Sequence, residues 1–253
     1  MKKLFLTVIF LSLFLPGCTV NTPAPSSPQA TPNIPTAVGN STAPPATPAA
    51  LQPSDTIRLP APKYSSGFSL EQALNERRSV RDYADSALSM AEVGQLLWSA
   101  QGKTAPWGGR TAPSAGATYP LETYLVTANV EGLAPGIFRY IPDRHELVKI
   151  REGDISDQLT AACLGQTWVK EAAINIVFSS FNERTTERYG ERGIRYVHME
   201  AGHASQNVYL QAAALNLGTV VIGAFHDDQL ERLLLMDTRE TALYVMPVGR
   251  IIN

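Results

Sequence analysis

The sequence predicts an α+β fold, and three observations carry that prediction. Two capping-box patterns, Ser69-Leu70-Glu71-Gln72 and Ser89-Met90-Ala91-Glu92, open helices before any strand pattern begins. Strand and helix patterns then mix without the regular alternation of a βαβ winding. A continuous apolar run from Ala173 to Ser179 reads as a central strand buried on both faces.

The 253-residue chain opens on Met1-Lys2-Lys3 and an apolar run from Leu4 to Leu15. About a dozen apolar residues are too few to span a bilayer and suit a signal-peptide core. Leu15-Pro16-Gly17-Cys18 resembles the lipobox of bacterial lipoproteins, although Pro16 departs from the usual small residue. Residues 1–18 are therefore expected to be a lipoprotein signal peptide, with lipid on Cys18 anchoring the chain in the cell envelope. Residues 19–62 are rich in Pro, Ala and Thr and nearly free of charged and aromatic residues. Such a segment buries too little surface to offset its ordering entropy, so it reads as a disordered tether. Residues 63–253 remain as one globular domain.

In that domain the first helix is expected from Ser69 to about Arg78. The second carries Val93, Leu96, Leu97 and Ala100 at helical spacing. Gly102 to Pro120 is a long loop, a length that is usually functional. Leu121 to Ala128 alternates as a strand, and residues 136–140 and 147–150 form a hairpin about the Pro142-Asp143-Arg144-His145 turn. A helix over 155–164 precedes the central strand. Asn182 to Tyr189 is a short helix, and Ile194 to Leu217 is the longest one, with Gly218 as its C′ residue. A strand over 219–222, a helix over 227–236 and a strand over 243–248 complete the domain.

Composition excludes several classes. Formal charge is −2, and discounting Lys2 and Lys3 leaves 19 basic against 23 acidic residues, which is no footprint for nucleic acid. Cys18 and Cys163 are the only cysteines, so no disulfide framework or cysteine metal cluster exists. Cys163 lies in an apolar helical pattern and reads as a small buried hydrophobe. His198 and His203 are five apart and share no helix face, so they suggest no metal site. Neither a G-x-G-x-x-G after a strand nor a Walker loop is present.

The candidate chemistry is distributed instead. Arg77-Arg78-Ser79-Val80-Arg81 places three guanidiniums and a hydroxyl in five residues, and arginine forks match phosphate oxygens. A solvated charge cluster at a helix end is the plainer reading of those residues alone. Glycines and small residues in Pro113-Ser114-Ala115-Gly116-Ala117, Ile222-Gly223-Ala224 and Gly249-Arg250 let backbone approach a flat ligand.

Taken in order, R-R-S-V-R, P-S-A-G-A-T-Y-P, E-A-G-H-x-x-Q-N, L-G-T-V-V-I-G-A-F and P-V-G-R resemble the nitroreductase superfamily of FMN enzymes. The likeness covers about residues 68 to 253 and is greatest to the SagB-type, thiazole/oxazole-oxidase-like dehydrogenases. It implies a nitroreductase-like fold: a mixed, mostly antiparallel central sheet flanked by helices, in an intertwined homodimer with FMN between the chains. By position, Arg77, Arg78, Ser79 and Arg81 would hold the FMN phosphate and ribityl chain, and Arg250 would add to that seat. Pro113, Ser114 and Gly116 would come from the partner chain to line the ring, and Gly223 and Ala224 would lie against it. A Lys-Tyr pair precedes the long helix in the azole-forming branch. This chain has Arg188-Tyr189 there. Tyr189 can act as acid or base, whereas Arg188 can bind an anion but cannot replace a lysine base. Glu200 and His203 read as a hydrogen-bonded pair on the long helix, and Trp107 as a lid or as loop packing.

The resemblance thus implies a flavin-dependent hydride transfer on a small-molecule or peptide substrate. Two rivals stay open: a nitro- or quinone reductase that takes NAD(P)H as co-substrate, and a non-catalytic envelope binding module.

Overall fold

The computed structural model describes residues 56–252. The leader, Cys18 and most of the tether lie outside the described residues.

Among the described residues eight strands form one sheet, in the order β1-β5-β4-β3-β6-β8-β2, with β7 also paired to β8. They span β1 Thr56–Arg58, β2 Tyr83–Ala84, β3 Leu121–Thr127, β4 Gly136–Ile141, β5 Glu146–Glu152, β6 Ile174–Phe181, β7 Leu217–Thr219 and β8 Glu240–Ile251. Every named pair is antiparallel. Among the described residues, parallel pairing is confined to single bridges, Ser79 with Thr219 and Leu88 with Val130. As its apolar run predicts, β6 is central and buried from Ile174 to Ser180, between β3 and β8.

The period of two in the strands divides the core between the two faces. Leu121, Leu125, Phe138, Ile176 and Met246 pack with helices α2 (Met90–Gln101) and α6 (Arg192–Ala214) on one side. Tyr124, Val126, Ile137, Val177 and Val245 face α3 (Ser156–Ala162), α4 (Trp168–Glu171) and α7 (Asp227–Leu233) on the other. The layers are therefore helix, sheet, helix. Cys163 is fully buried in the second cluster, and loss of solvent pushes its thiol up to about 12, so it is inert as a nucleophile.

Both capping boxes form helices where the sequence places them. Ser69 accepts from the Gln72 N–H, and Ser89 and Glu92 cap each other reciprocally. Other boundaries move. The first helix, α1, is Leu70–Glu76 and stops at Arg77, whose extended ψ of 132° carries Arg77 to Arg81 off as open chain. The folded domain begins before residue 63: Thr56–Arg58 pairs with β5, and Leu59 is buried. Composition cannot reveal this, because three residues acquire their strand character from the partner edge. Gly218 is not the helix C′ residue. The helix ends at Ala214 with Leu215 as its cap, Asn216 takes the left-handed turn (φ 55°), and Gly218 lies within β7. Asparagine tolerates that conformation better than other side chains.

Candidate functional site

The structure gathers the predicted residues into two groups, both built on α6. The first surrounds Tyr209. Its hydroxyl accepts the Val221 N–H at 2.8 Å and shares a 3.0 Å hydrogen bond with Ser79 Oγ. The Arg77 guanidinium stands 5.2 Å above its ring. Val80 N–H donates to the Thr219 carbonyl, so the arginine segment runs beside residues 219–221. Two and three residues past Val221 lie Gly223 and Ala224, both exposed. The Ala224 carbonyl accepts from Gln166 Nε2 at 2.9 Å, and two residues after Gln166 the Trp168 ring lies 5.5 Å from the Arg81 guanidinium. Arg77, Ser79, Arg81, Gly223 and Ala224 thus share one region.

Two cross-strand glycines fix that segment. Gly218 of β7 pairs with Gly249 of β8. A Cβ on Gly218 would lie 2.6 Å from Val80 Cγ1, and one on Gly249 would lie 2.7 Å from Tyr83 Cβ. The bare backbone of this pair is the floor into which Val80 and Tyr83 fit. The Tyr83 hydroxyl then donates to the carbonyls of Val80 and Pro247.

Arg78 and Arg250 are placed differently from the seat expected of them. Arg78 turns back and donates to the carbonyls of Asn75 and Arg77 at the end of α1, where acceptors have no helical partner. Arg250 makes a two-pronged pair with Glu92, both distances 3.0 Å. Burial opposes ionisation of Glu92, but the Ser89 N–H and hydroxyl and the Arg250 fork outweigh it and hold the carboxyl below its ordinary range. By contrast, Arg77 and Arg81 form no ion pair among the described residues.

The second group lies toward the N-terminal half of α6. Its frame is the loop before β3, clamped by α5 (Glu183–Tyr189). Thr118 Oγ1 and Thr185 Oγ1 are 2.8 Å apart, Arg184 donates to the Tyr119 carbonyl, and Arg188 donates to the Gly116 carbonyl at 3.1 Å. Gly116 has φ 62°, and a Cβ there would lie 2.6 Å from the Tyr189 hydroxyl. Ala117 and Tyr119 also hold positive φ, a conformation that costs on the order of 1 kcal/mol or more in a side-chain-bearing residue and needs such clamps. Pro113, Ser114, Gly116, Arg188 and Tyr189 therefore belong together. Ser114 accepts the Tyr119 N–H at 2.9 Å. Beneath the loop, Glu200 is only 2% exposed while His203 is exposed, and no hydrogen bond joins them. They are not the expected pair. Trp107 is 76% exposed, its ring close over Gly109.

Within one protomer the two groups are separated along α6. Glu200 and Tyr209 are nine residues apart, about 13 Å at the helical rise.

The residues missed by sequence reasoning are Tyr209, Trp168, Arg110 and Gln101. Tyr209 and Trp168 act through partners far away in sequence, Arg110 and Gln101 through each other across a loop, and no local spacing marks any of them. Replacing Tyr209 with phenylalanine should leave the Val221 N–H and Ser79 without their shared oxygen. The expected loss is about 1–2 kcal/mol in urea unfolding, since an unmade bond to a partly buried donor costs that much.

A nitroreductase family model matches residues 74–250. A Methanocaldococcus jannaschii protein assigned to the nitroreductases is 44% identical over 199 residues, covering 79% of this chain and 99% of that protein. The microcin B17-processing protein McbC of Escherichia coli is 26% identical over 161 residues, 61% of this chain and 59% of McbC. Among solved structures, one from Anabaena variabilis superposes with a TM-score of 0.70 at 33% identity, and covers 78% of this chain but 42% of its own. Another, from Desulfovibrio desulfuricans in complex with FMN, has a TM-score of 0.53 at 25% identity, with 73% and 87% covered. The antiparallel sheet between helical layers is thus a nitroreductase-like fold, and the chain belongs to the nitroreductase family of oxidoreductases.

Proposed function

We propose that the chain is an FMN-dependent oxidoreductase of the SagB-like branch, working as a homodimer at the cell envelope on a lipid anchor at Cys18. The observation that carries the cofactor is the pair of uncommitted guanidiniums, Arg77 and Arg81, flanking Ser79, with exposed Gly223 and Ala224 beside them. That donor set fits a phosphate dianion followed by a flat ring: arginine supplies planar forks and the small residues supply access. Arg77 is also oriented by the Tyr209 ring, which reduces the ordering cost of binding.

Bound there, FMN supplies reversible hydride chemistry. The chain's own part is to hold it, exclude water and manage protons. Tyr189 offers the proton-carrying hydroxyl beside Gly116, while Arg188 stays charged and spends a donor on the Gly116 carbonyl. A permanently charged side chain at that position argues against azoline oxidation by a lysine-type base. Similarity to McbC supports the SagB-like assignment, and the FMN-bound neighbour supports the cofactor. Separation of the Ser114 and Ser79 groups along α6 suits a site completed by a second chain.

The test is titration of the purified full-length protein with FMN. A yellow protein with quenched flavin fluorescence is expected, and Arg77→Ala or Arg81→Ala should each weaken binding about tenfold, the value of one charged hydrogen bond. Colourless protein that takes up no FMN overturns the reading and leaves the envelope binding module. Bleaching of the bound flavin by NADPH would assign the nitro- or quinone-reductase alternative, and no bleaching by either nicotinamide an organic or peptide substrate.

A further inference from the structure

We propose that Trp168 is a positioning residue for the phosphate end of the flavin: its ring gives the Arg81 guanidinium a fixed rest, and so sharpens the preference for FMN over the same flavin without phosphate. The inference rests on the FMN reading above.

The connection between α3 and α4 reaches the seat at two points. Gln166 Nε2 donates to the Ala224 carbonyl at 2.9 Å and to the Cys163 carbonyl at 2.8 Å. Two residues on, the Trp168 ring centroid lies 5.5 Å from the Arg81 guanidinium. The connection is itself held from within the fold. Val169 is fully buried, and its carbonyl accepts from Asn175 Nδ2 of the central strand β6 at 3.0 Å. The Val169 N–H donates to the Gln166 carbonyl at 3.0 Å. At the end of α3 the Ala162 carbonyl accepts the His226 N–H at 2.8 Å, which ties the chain just past Ala224 to the same frame. Trp168 is half-buried against the core cluster on that face of the sheet, and its indole N–H is buried with no acceptor among the described residues. The polar edge of the ring is thus committed to the interior, and what the ring offers Arg81 is its face.

Arg81 has more need of such a rest than Arg77. Arg77 is half-buried, with its guanidinium over the Tyr209 ring. Arg81 is exposed and forms no ion pair among the described residues. An exposed arginine gives up rotamer freedom when it closes on an anion, and that loss is subtracted from affinity. An aromatic face against the guanidinium restricts those rotamers before the ligand arrives, and the attraction of a cation for a ring supplies the restraint. The benefit reaches only a ligand that uses the Arg81 fork, which is one that carries phosphate. Gln166 differs. It fixes the backbone at Ala224, where the ring is expected, and the ring is common to FMN and riboflavin. Two neighbours on one short connection therefore act on different parts of one ligand.

The experiment titrates the full-length protein with FMN and with riboflavin, read by quenching of flavin fluorescence. Trp168→Leu should weaken FMN about two- to fivefold, the value of an exposed cation–π contact, and leave riboflavin unchanged. Trp168→Phe keeps a weaker aromatic face and should fall between wild type and Trp168→Leu. Gln166→Ala should weaken both flavins by the same factor. In an Arg81→Ala background Trp168→Leu should weaken FMN no further, because its effect passes through the guanidinium. This cycle needs no riboflavin and decides alone if riboflavin binds too weakly to titrate; Trp168→Phe takes the place of Trp168→Leu in it if the leucine variant does not fold. Equal weakening of both flavins in Trp168→Leu, unchanged FMN affinity, or full additivity with Arg81→Ala overturns the proposal and leaves the cofactor assignment intact. Wild type that takes up no FMN overturns the cofactor assignment and the role of Trp168 with it.

Discussion

Substituting Gly249 with valine is expected to destabilise the domain by about 3 kcal/mol or more and to abolish measurable FMN uptake, because it strikes the floor beneath the arginine segment. Even the first added carbon would lie 2.7 Å from Tyr83 Cβ and Cγ and 2.9 Å from Cδ1. Tyr83 has little freedom to withdraw. It is 8% exposed, β2 pairs it with Ile251, and its hydroxyl is held by the Val80 and Pro247 carbonyls. The clash must move either β8 or the backbone at Tyr83. Both motions shift Val80, which sits over Gly218, and with it Ser79 and Arg81 on either side. Stability and cofactor affinity should therefore fall together, as urea unfolding and flavin titration of the same protein would measure. Gly67→Ala is the control, since a Cβ there meets nothing within 4 Å. If Gly249→Val binds FMN like wild type, the glycine floor does not position the seat.

That relation was half legible in the sequence. Gly249 stood beside an arginine in a terminal P-V-G-R, and the arginine drew the functional reading. In the structure the arginine pairs with Glu92 and the glycine does the positioning. Local patterns were read well. Ser69 and Ser89 cap their helices through bonds three residues long, and the apolar run of β6 needs no partner to be recognised. Features made by distant pairing were not. β1 and β2 are three and two residues long, and edges far along the chain define them. Gly218 looked like a helix stop because glycine often is one, and only its register with Gly249 shows it to be a strand residue. Tyr209 is one tyrosine on a long amphipathic helix; its two hydrogen bonds span 12 and 130 positions. The E-A-G-H motif did point at Glu200, but burial of a carboxylate is a property of the packed layers, and the sequence paired it with an exposed histidine instead.

The second large effect should come from Glu240→Ala, at about 3–5 kcal/mol, the range for removing one partner of a buried charged network. Glu240 opens β8 and is 4% exposed. Its Oε2 accepts from Tyr124 at 2.8 Å and from Ser179 at 2.7 Å, and Arg139 lies 3.7 Å from Oε1. Burial first, and the Glu240 charge second, hold the Tyr124 hydroxyl firmly protonated, so it remains a donor at any working pH. Truncation strands two buried hydroxyls and leaves Arg139 with Glu122 alone. Glu240→Gln keeps an acceptor of the same shape and should lose about 1–2 kcal/mol, so the order wild type, Gln, Ala in urea midpoints separates lost charge from lost hydrogen bonding. The consequence also reaches the site. Glu122 holds Arg184 at 2.7 Å as well as Arg139, and Arg184 holds the Tyr119 carbonyl whose residue closes the Ser114 loop. Releasing Arg139 draws Glu122 toward it and away from Arg184. Glu240→Ala should then show faster amide exchange at residues 114–119 than Glu240→Gln does at equal distance from its own unfolding midpoint. Equal exchange in the two variants would confine the network to stability and detach it from the loop.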